Sequence, residues 1–188
     1  IAAFSDTIRH DSGHVVEQLK KMGIGSIMIT GDSEEGAKTI SERVGIETYY
    51  YRLLPDQKTD IVKTFKKKGI TMMVGDGIND APSLATADVG IAMGRGTDIA
   101  IESADVVLMK GQLSRLVSFI RLSRKTLWII RENLFWAFIY NVLSIPIAFG
   151  ALYPFFNIRL EPMYGALAMM ISSVSVVTNS LRLRFFKE

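Results

Sequence analysis

The chain of 188 residues contains no cysteine, which excludes disulfides and thiolate metal sites within it. It also lacks a strong charge of either sign. The formal net charge is +3, and the basic residues are spread out rather than gathered, so nucleic acid is not an expected partner. Charge is missing altogether from two long stretches, 134–153 and 163–181, which hold no Asp, Glu, Lys or Arg. The first residue is Ile1, not methionine, and no signal peptide leads the chain; a fragment whose beginning is missing is expected. What is present is unevenly distributed. The chain is 48% hydrophobic and 22% charged, with a mean hydropathy of +0.23, and most of the charge lies before Glu132.

As far as Gly69 the apolar pattern alternates between helix and strand. Val15, Val16 and Leu19 recur at helical spacing, and Gly23 suits a helix end. The run IGSIMIT (24–30) stops at Gly31, as a buried parallel strand would. Residues 34–44 read as a helix closed by Gly45, and 56–68 as another closed by Gly69. Apolar runs at 70–74, 89–93 (VGIAM) and 106–109 (VVLM) predict further strands. Such alternation implies an α/β domain over 1–111, a parallel sheet with helices on both faces. Ligands of such sheets bind beyond the carboxyl ends of the strands.

Residues 112–126 read as an amphipathic helix carrying Arg115, Arg121, Arg124 and Lys125, within a connecting segment that extends to 133. It runs on into 134–153, about the length needed to span a hydrocarbon core. A short external loop (154–162) leads to a second span (163–181) and a tail (182–188). Basic residues precede the first span (Arg124, Lys125, Arg131) and follow the second (Arg182, Arg184, Lys187). The positive-inside rule then predicts a two-helix transmembrane hairpin with both ends cytoplasmic, hence a multi-pass integral membrane protein.

The chemistry concentrates in MMVGDGINDAP (72–82). Glycines 75 and 77 let the backbone approach a bulky anion and present N–H groups to it. Asp76, just off the strand end, is placed to hold a hard cation, and Mg²⁺ binds through one or two carboxylates plus phosphate oxygens. Asn79 and Asp80 follow one helical turn later. An acidic surface turn would explain the residue types, but not their position between an apolar strand and a helix. Thr30-Gly31-Asp32 ends the earlier strand with a hydroxyl and free N–H groups suited to phosphate, although TGD alone is often only a turn. Lys58, in LPDQK, opens a helix after a proline and offers a point cation; taken alone, a helical lysine is more often a solvated surface residue. The order carries the weight: hydroxyl, lysine, carboxylate cluster.

That order resembles the haloacid-dehalogenase-like phosphotransfer fold. TGD, LPDQK and VGDGINDAPSLATADVGIAMGRGTDIAIESADVVL together resemble the phosphorylation domain of a P-type ATPase. The resemblance implies that Thr30, with Gly31 and Asp32, contacts a phosphoryl group that Lys58 neutralises. It also implies that Asp76 binds Mg²⁺ with support from Asn79 and Asp80. Asp6 and Arg9 in DTIR fit the family's segment entering this half of the domain. Ser33 stands where an asparagine often follows TGD. The family's nucleophile, an aspartate followed by Lys-Thr-Gly-Thr, does not occur in this chain. Asp6-Thr7 is the one substitute, and with Asp6 as nucleophile the alternative is a small phosphatase of the same superfamily with a membrane anchor. Such enzymes usually carry a second acid two residues on, where this chain has Ile8.

The polar groups of the two uncharged stretches bear on a transported ion. Tyr140 and Asn141 lie in the first, Met169, Ser172 and Ser173 in the second, and neither contains a carboxylate. A thioether suits soft Cu(I), whereas harder divalent ions favour carboxylates or imidazoles. NLFWAFIYNVLSIPIAFG and MMISSVSVVTNSLRL resemble the last two membrane helices of copper(I)-transporting heavy-metal ATPases. The resemblance implies that Tyr140, Asn141, Met169, Ser172 and Ser173 line a copper(I) path. It also implies ATP as a cofactor, with the adenine site outside this chain, and a copper chaperone as partner through a missing N-terminal part. Zinc and cadmium relatives are expected to show a lysine and an aspartate in these helices. A single methionine such as Met169 is as readily a packing residue.

Overall fold

The computed structural model describes residues 8–76, 78–94, 98–109, 112–148 and 162–185. The chain divides into two compact units, Ile1–Ser118 and Phe119–Glu188.

The first unit opens with α1 (Ser12–Lys21). Gly23 takes a left-handed conformation (φ 75°), the Gly23 N–H bonds Lys20 O, and the Ile24 N–H bonds Leu19 O. These paired bonds satisfy the last carbonyls of the helix. Ile24 is therefore spent on the cap, and the expected strand over 24–30 shrinks to β1 (Ile27–Ile29). α2 (Glu34–Val44) starts at Ser33, whose hydroxyl accepts the Gly36 N–H at 3.4 Å, and stops at left-handed Gly45. Ser and Gly are the residues that favour those two positions. β2 (Thr48–Tyr50) follows; at three residues it is too short to show a period of two, and the sequence reading missed it. α3 (Pro55–Lys66) begins on a proline, with the Leu54 N–H bonded to Gln57 Oε1 at 2.8 Å. β3 (Met72–Gly75), a 3₁₀ turn (Ile78–Asp80), α4 (Ala81–Thr86), β4 (Val89–Met93), α5 (Asp98–Glu102) and β5 (Val106–Leu108) complete it. Ile70, expected in a strand, is 91% exposed and lies outside β3.

All pairings are parallel, as the alternation implies. They form two sheets rather than the expected one: β1 with β2, and β3–β4–β5 in chain order. Among the described residues no ladder joins β1 to β3. Val62 of α3, Met73 of β3 and Leu84 of α4 form a buried cluster against which Ile29 of β1 packs. β1 and β3 thus share a core without sharing hydrogen bonds.

The start of the three-stranded sheet is latched by two aspartates, each one residue ahead of a strand. Asp88 Oδ2 accepts the Thr71 N–H at 2.9 Å, and the Asp88 N–H returns a bond to Thr71 O. Asp105 Oδ2 accepts the Gly90 N–H at 2.8 Å, and the Asp105 N–H bonds Gly90 O. A Cβ at Gly90 would stand 2.6 Å from Leu84 O, so only glycine admits α4 this close.

α6 (Ser114–Ala148) is one continuous helix of 35 residues with Pro146 inside it, and α7 covers Pro162–Leu181. A 3₁₀ turn (Arg182–Phe185) ends the described chain. Among the described residues no helix is long and apolar enough to cross a membrane, which corrects the expected hairpin. α6 has the length, but Arg131 and Glu132 stand ahead of its apolar part, which Asn141, Ser144 and Pro146 interrupt before the described helix ends at Ala148. α7 carries Ser172, Ser173, Ser175, Thr178, Asn179 and Ser180. Residues 149–153 of the first expected span and 154–161 of its loop lie outside the described residues. The apolar side chains of both helices are nonetheless outward: Leu134, Phe138, Leu143, Val174 and Val177 are all more than half exposed.

Candidate functional site

At the carboxyl end of β1 the Thr30 hydroxyl folds back on its own turn. Thr30 Oγ1 donates to Asp32 Oδ2 and accepts the Asp32 N–H, both at 3.1 Å. The turn is tied to the segment after β2: the Thr30 N–H bonds Tyr50 O, the Leu53 N–H bonds Thr30 O, and the Arg52 N–H bonds Asp32 O. Gly31 fits because any Cβ there would lie 3.3 Å from Leu53 O.

At the carboxyl end of β3, Asp80 turns back over the strand it follows. A Cβ on Gly75 would stand 2.8 Å from the Asp80 Cβ, so here glycine makes room for a neighbouring carboxylate. Lys58, from the first turn of α3, reaches Asp80 Oδ1 at 2.9 Å, with side-chain exposures of only 15% and 16%. The two residues are 22 positions apart, and nothing in the sequence alone pairs them. Asp76 faces outward and meets Arg9 at 3.0 Å, with both side chains about half exposed. Asn79, on the 3₁₀ turn, is exposed. Among the described residues no hydrogen bond links the Thr30–Asp32 turn to the Lys58–Asp80 pair. Gly77 and Asp6 lie outside the described residues.

The arrangement is a row of hard oxygen donors balanced by two cations. Among the described residues no three His, Asp or Glu side chains converge into a metal-binding group. Magnesium needs only one or two carboxylates beside phosphate oxygens, and the exposed Asp76 with the neighbouring Asp80 fits that demand.

In the second unit the residues singled out for an ion path mostly bond to their own helices. Asn141 Nδ2 donates to Ala137 O, and the Ser173 hydroxyl to Met169 O. Tyr140 lies 6.3 Å from the Trp136 ring. Met169 is 68% exposed. The cross-helix contacts lie elsewhere, in a network the sequence reading missed. Asn133 Nδ2 donates to Ser180 Oγ at 2.9 Å, and Asn179 Nδ2 donates to Asn133 Oδ1 at 2.9 Å and to Glu132 Oε2 at 3.2 Å. Arg182 donates to Asn179 Oδ1 at 2.8 Å and pairs with Glu132 at 3.3 Å. The available signal was Asn179 inside the second apolar run, with Glu132 and Asn133 at the head of the first.

Residues 1–88 match the haloacid dehalogenase-like hydrolase family, the class that the parallel strands and the carboxylates at their ends define. The chain is 50% identical over 98% of its length to a probable copper-exporting P-type ATPase of Archaeoglobus fulgidus. It is 49% identical over 99% of its length to the probable copper-transporting ATPase PacS of Synechocystis sp.. It spans only 23% and 25% of those two proteins. Among solved structures, a zinc-transporting PIB-type ATPase in the E2.Pi state superposes with a TM-score of 0.86. That match has 34% identity and covers 95% of this chain and 28% of the other. The chain belongs to the P-type ATPase family.

Proposed function

We propose that this chain is the C-terminal part of an ATP-driven copper(I) export pump that works through an aspartyl-phosphate intermediate. The observation that carries the reading is the sheltered Lys58–Asp80 pair beside outward-facing Asp76 at the end of β3. Positioning and charge balance supply most of the catalysis of phosphoryl transfer, and this cluster offers both. Asp76, supported by Asp80 and Asn79, would hold Mg²⁺, which supplies positive charge against the phosphoryl oxygens. Thr30, Gly31 and Asp32 would contact the same phosphoryl group once the Thr30 hydroxyl exchanges its bonds within the turn, and Lys58 would offset its charge. The nucleophilic aspartate, the adenine site and a docking region for a copper chaperone would lie in parts of the pump outside this chain.

Copper(I) as the ion is supported by the thioether of Met169 and by the lack of any carboxylate in 134–148 and 162–181, since soft ions favour sulfur. Tyr140, Asn141, Ser172 and Ser173 complete the proposed path. The outward apolar side chains of α6 and α7 support packing against the membrane helices that the rest of a multi-pass pump would supply, with the first unit and the C-terminus cytoplasmic.

The test is Asp76→Ala in the intact pump. Phosphoenzyme formation from both ATP and inorganic phosphate should disappear. Near-native phosphorylation by that variant would refute the assignment.

A further inference from the structure

The network between α6 and α7 is placed where it can set the register of the proposed ion path. The Asn133–Ser180 and Asn133–Asn179 bonds hold the two helices in an antiparallel alignment at one level. Seven residues are two helical turns and return to nearly the same face. Two turns beyond Asn133 on α6 stands Tyr140; two turns back from Asn179 and Ser180 on α7 stand Ser172 and Ser173. Continued at the same rise, that alignment would bring Ser144 level with Met169 three turns away. Exposure follows the same stripe. Asn133, Ala137, Tyr140, Ser144 and Ile147 are partly buried, whereas Leu134, Phe135, Trp136 and Phe138 are exposed.

The geometry points to Asn133 and Asn179, braced by Glu132, Ser180 and Arg182, as positioning residues that hold Tyr140 level with Ser172 and Ser173. This rests on the copper(I) path proposed above. Glu132 is the anchor of the brace. Its two oxygens take the Trp128 indole N–H at 2.8 Å, the Asn179 amide and the Arg182 guanidinium. Its charge is thus spent on side chains from both helices. Neither asparagine need touch the ion. Their effect is to fix which residues of one helix stand across from which of the other, and a slip of one turn would carry Tyr140 about 5.4 Å from its level.

The register is measured first in this chain, which has no cysteine of its own. Ala137→Cys with Val176→Cys should form a disulfide readily, and Ala137→Cys with Ser172→Cys, one turn away, should not. Adding Asn133→Ala and Asn179→Ala should erase that preference. In the intact pump the same two alanines should raise the copper(I) concentration for half-maximal ATPase by about tenfold or more. Phosphoenzyme formation from inorganic phosphate should be unchanged. Ser180→Ala, the milder lesion, should shift half-saturation in the same direction, and Ser180→Thr, which keeps the hydroxyl, should restore it. Equal cross-linking of both cysteine pairs, or a preference that survives the two alanines, would overturn the register claim. A register that slips while copper(I) half-saturation stays put would overturn the positioning role. Tyr140→Phe, read alongside, separates the two failures: an altered copper(I) response confines the failure to the clamp, and a silent one removes the path itself.

Discussion

The two ends of the same parallel strands use aspartate in opposite ways. At the starting end, Asp88 and Asp105 aim their oxygens at the backbone N–H groups of Thr71 and Gly90 and take backbone bonds in return. At the carboxyl end, Asp76 and Asp80 meet side-chain cations, Arg9 and Lys58. A carboxylate locked onto backbone is part of the ladder and cannot leave without opening it. A carboxylate facing a long flexible cation can exchange partners at little structural cost. Residue type alone therefore does not mark the site; what the oxygens face does.

This contrast can be broken from either end. After the complete loss expected of Asp76→Ala, the largest effect is expected for Lys58→Ala, which strands the sheltered Asp80 without its cation. Phosphoenzyme formation in the intact pump should fall by about tenfold or more, with a stability loss of about 1–3 kcal/mol read from the urea midpoint. Native phosphorylation levels in that variant would reassign the pair to structure. Next comes Asp105→Ala, which leaves the Gly90 N–H without its side-chain partner. It should cost about 1–3 kcal/mol in the same urea measurement, while phosphoenzyme formation persists. Loss of phosphorylation without loss of stability would erase the distinction between the two ends.

The smallest effect is a pH dependence. The Thr71 N–H, assisted by the Lys66 ammonium and opposed by desolvation, holds the Asp88 carboxyl below its ordinary range. A depressed folded-state pKa gives stability that is present above the unfolded-state value and is lost as pH falls through the folded-state value. The thermal midpoint of the wild-type chain should therefore exceed that of Asp88→Asn at neutral pH. The two should converge as the pH falls below about 4. A difference that is constant with pH would mean that the charge of Asp88 contributes nothing.

Elements whose signals are local were legible in the sequence. Ser33 and Gly45 bound α2 to the residue, because a hydroxyl cap and a left-handed glycine act within one turn. Strand ends were less legible: the apolar runs at 24–30 and 70–74 include Ile24, consumed by a helix cap, and Ile70, which faces solvent. The division into two sheets was not legible, since strand pairing depends on contacts far apart in the chain. At the site, the residue types and their order could be read, but the pairings could not. Lys58 meets Asp80 across 22 positions, and Arg9 meets Asp76 across 67. Gly75 shows the limit best. It was read as letting the backbone approach a bulky anion. The close neighbour in the structure is instead the Asp80 side chain of the same loop, whose Cβ would stand 2.8 Å from a Cβ on Gly75. The expected membrane spans are not met among the described residues, where serines, threonines and asparagines lower the apolarity of α7 and the later part of α6.

The reciprocal bonds of Asp88 and Asp105 also give the three-stranded sheet a direction of opening. A ladder stapled at one end loosens from the other, much as a zipper parts away from its stop. Spontaneous fluctuations of β3 and β4 should thus begin at Gly75 and Met93 and die out toward Thr71 and Gly90. The loop that bears Asp76 and Asp80 follows the end of β3 that is expected to open first, away from the two staples.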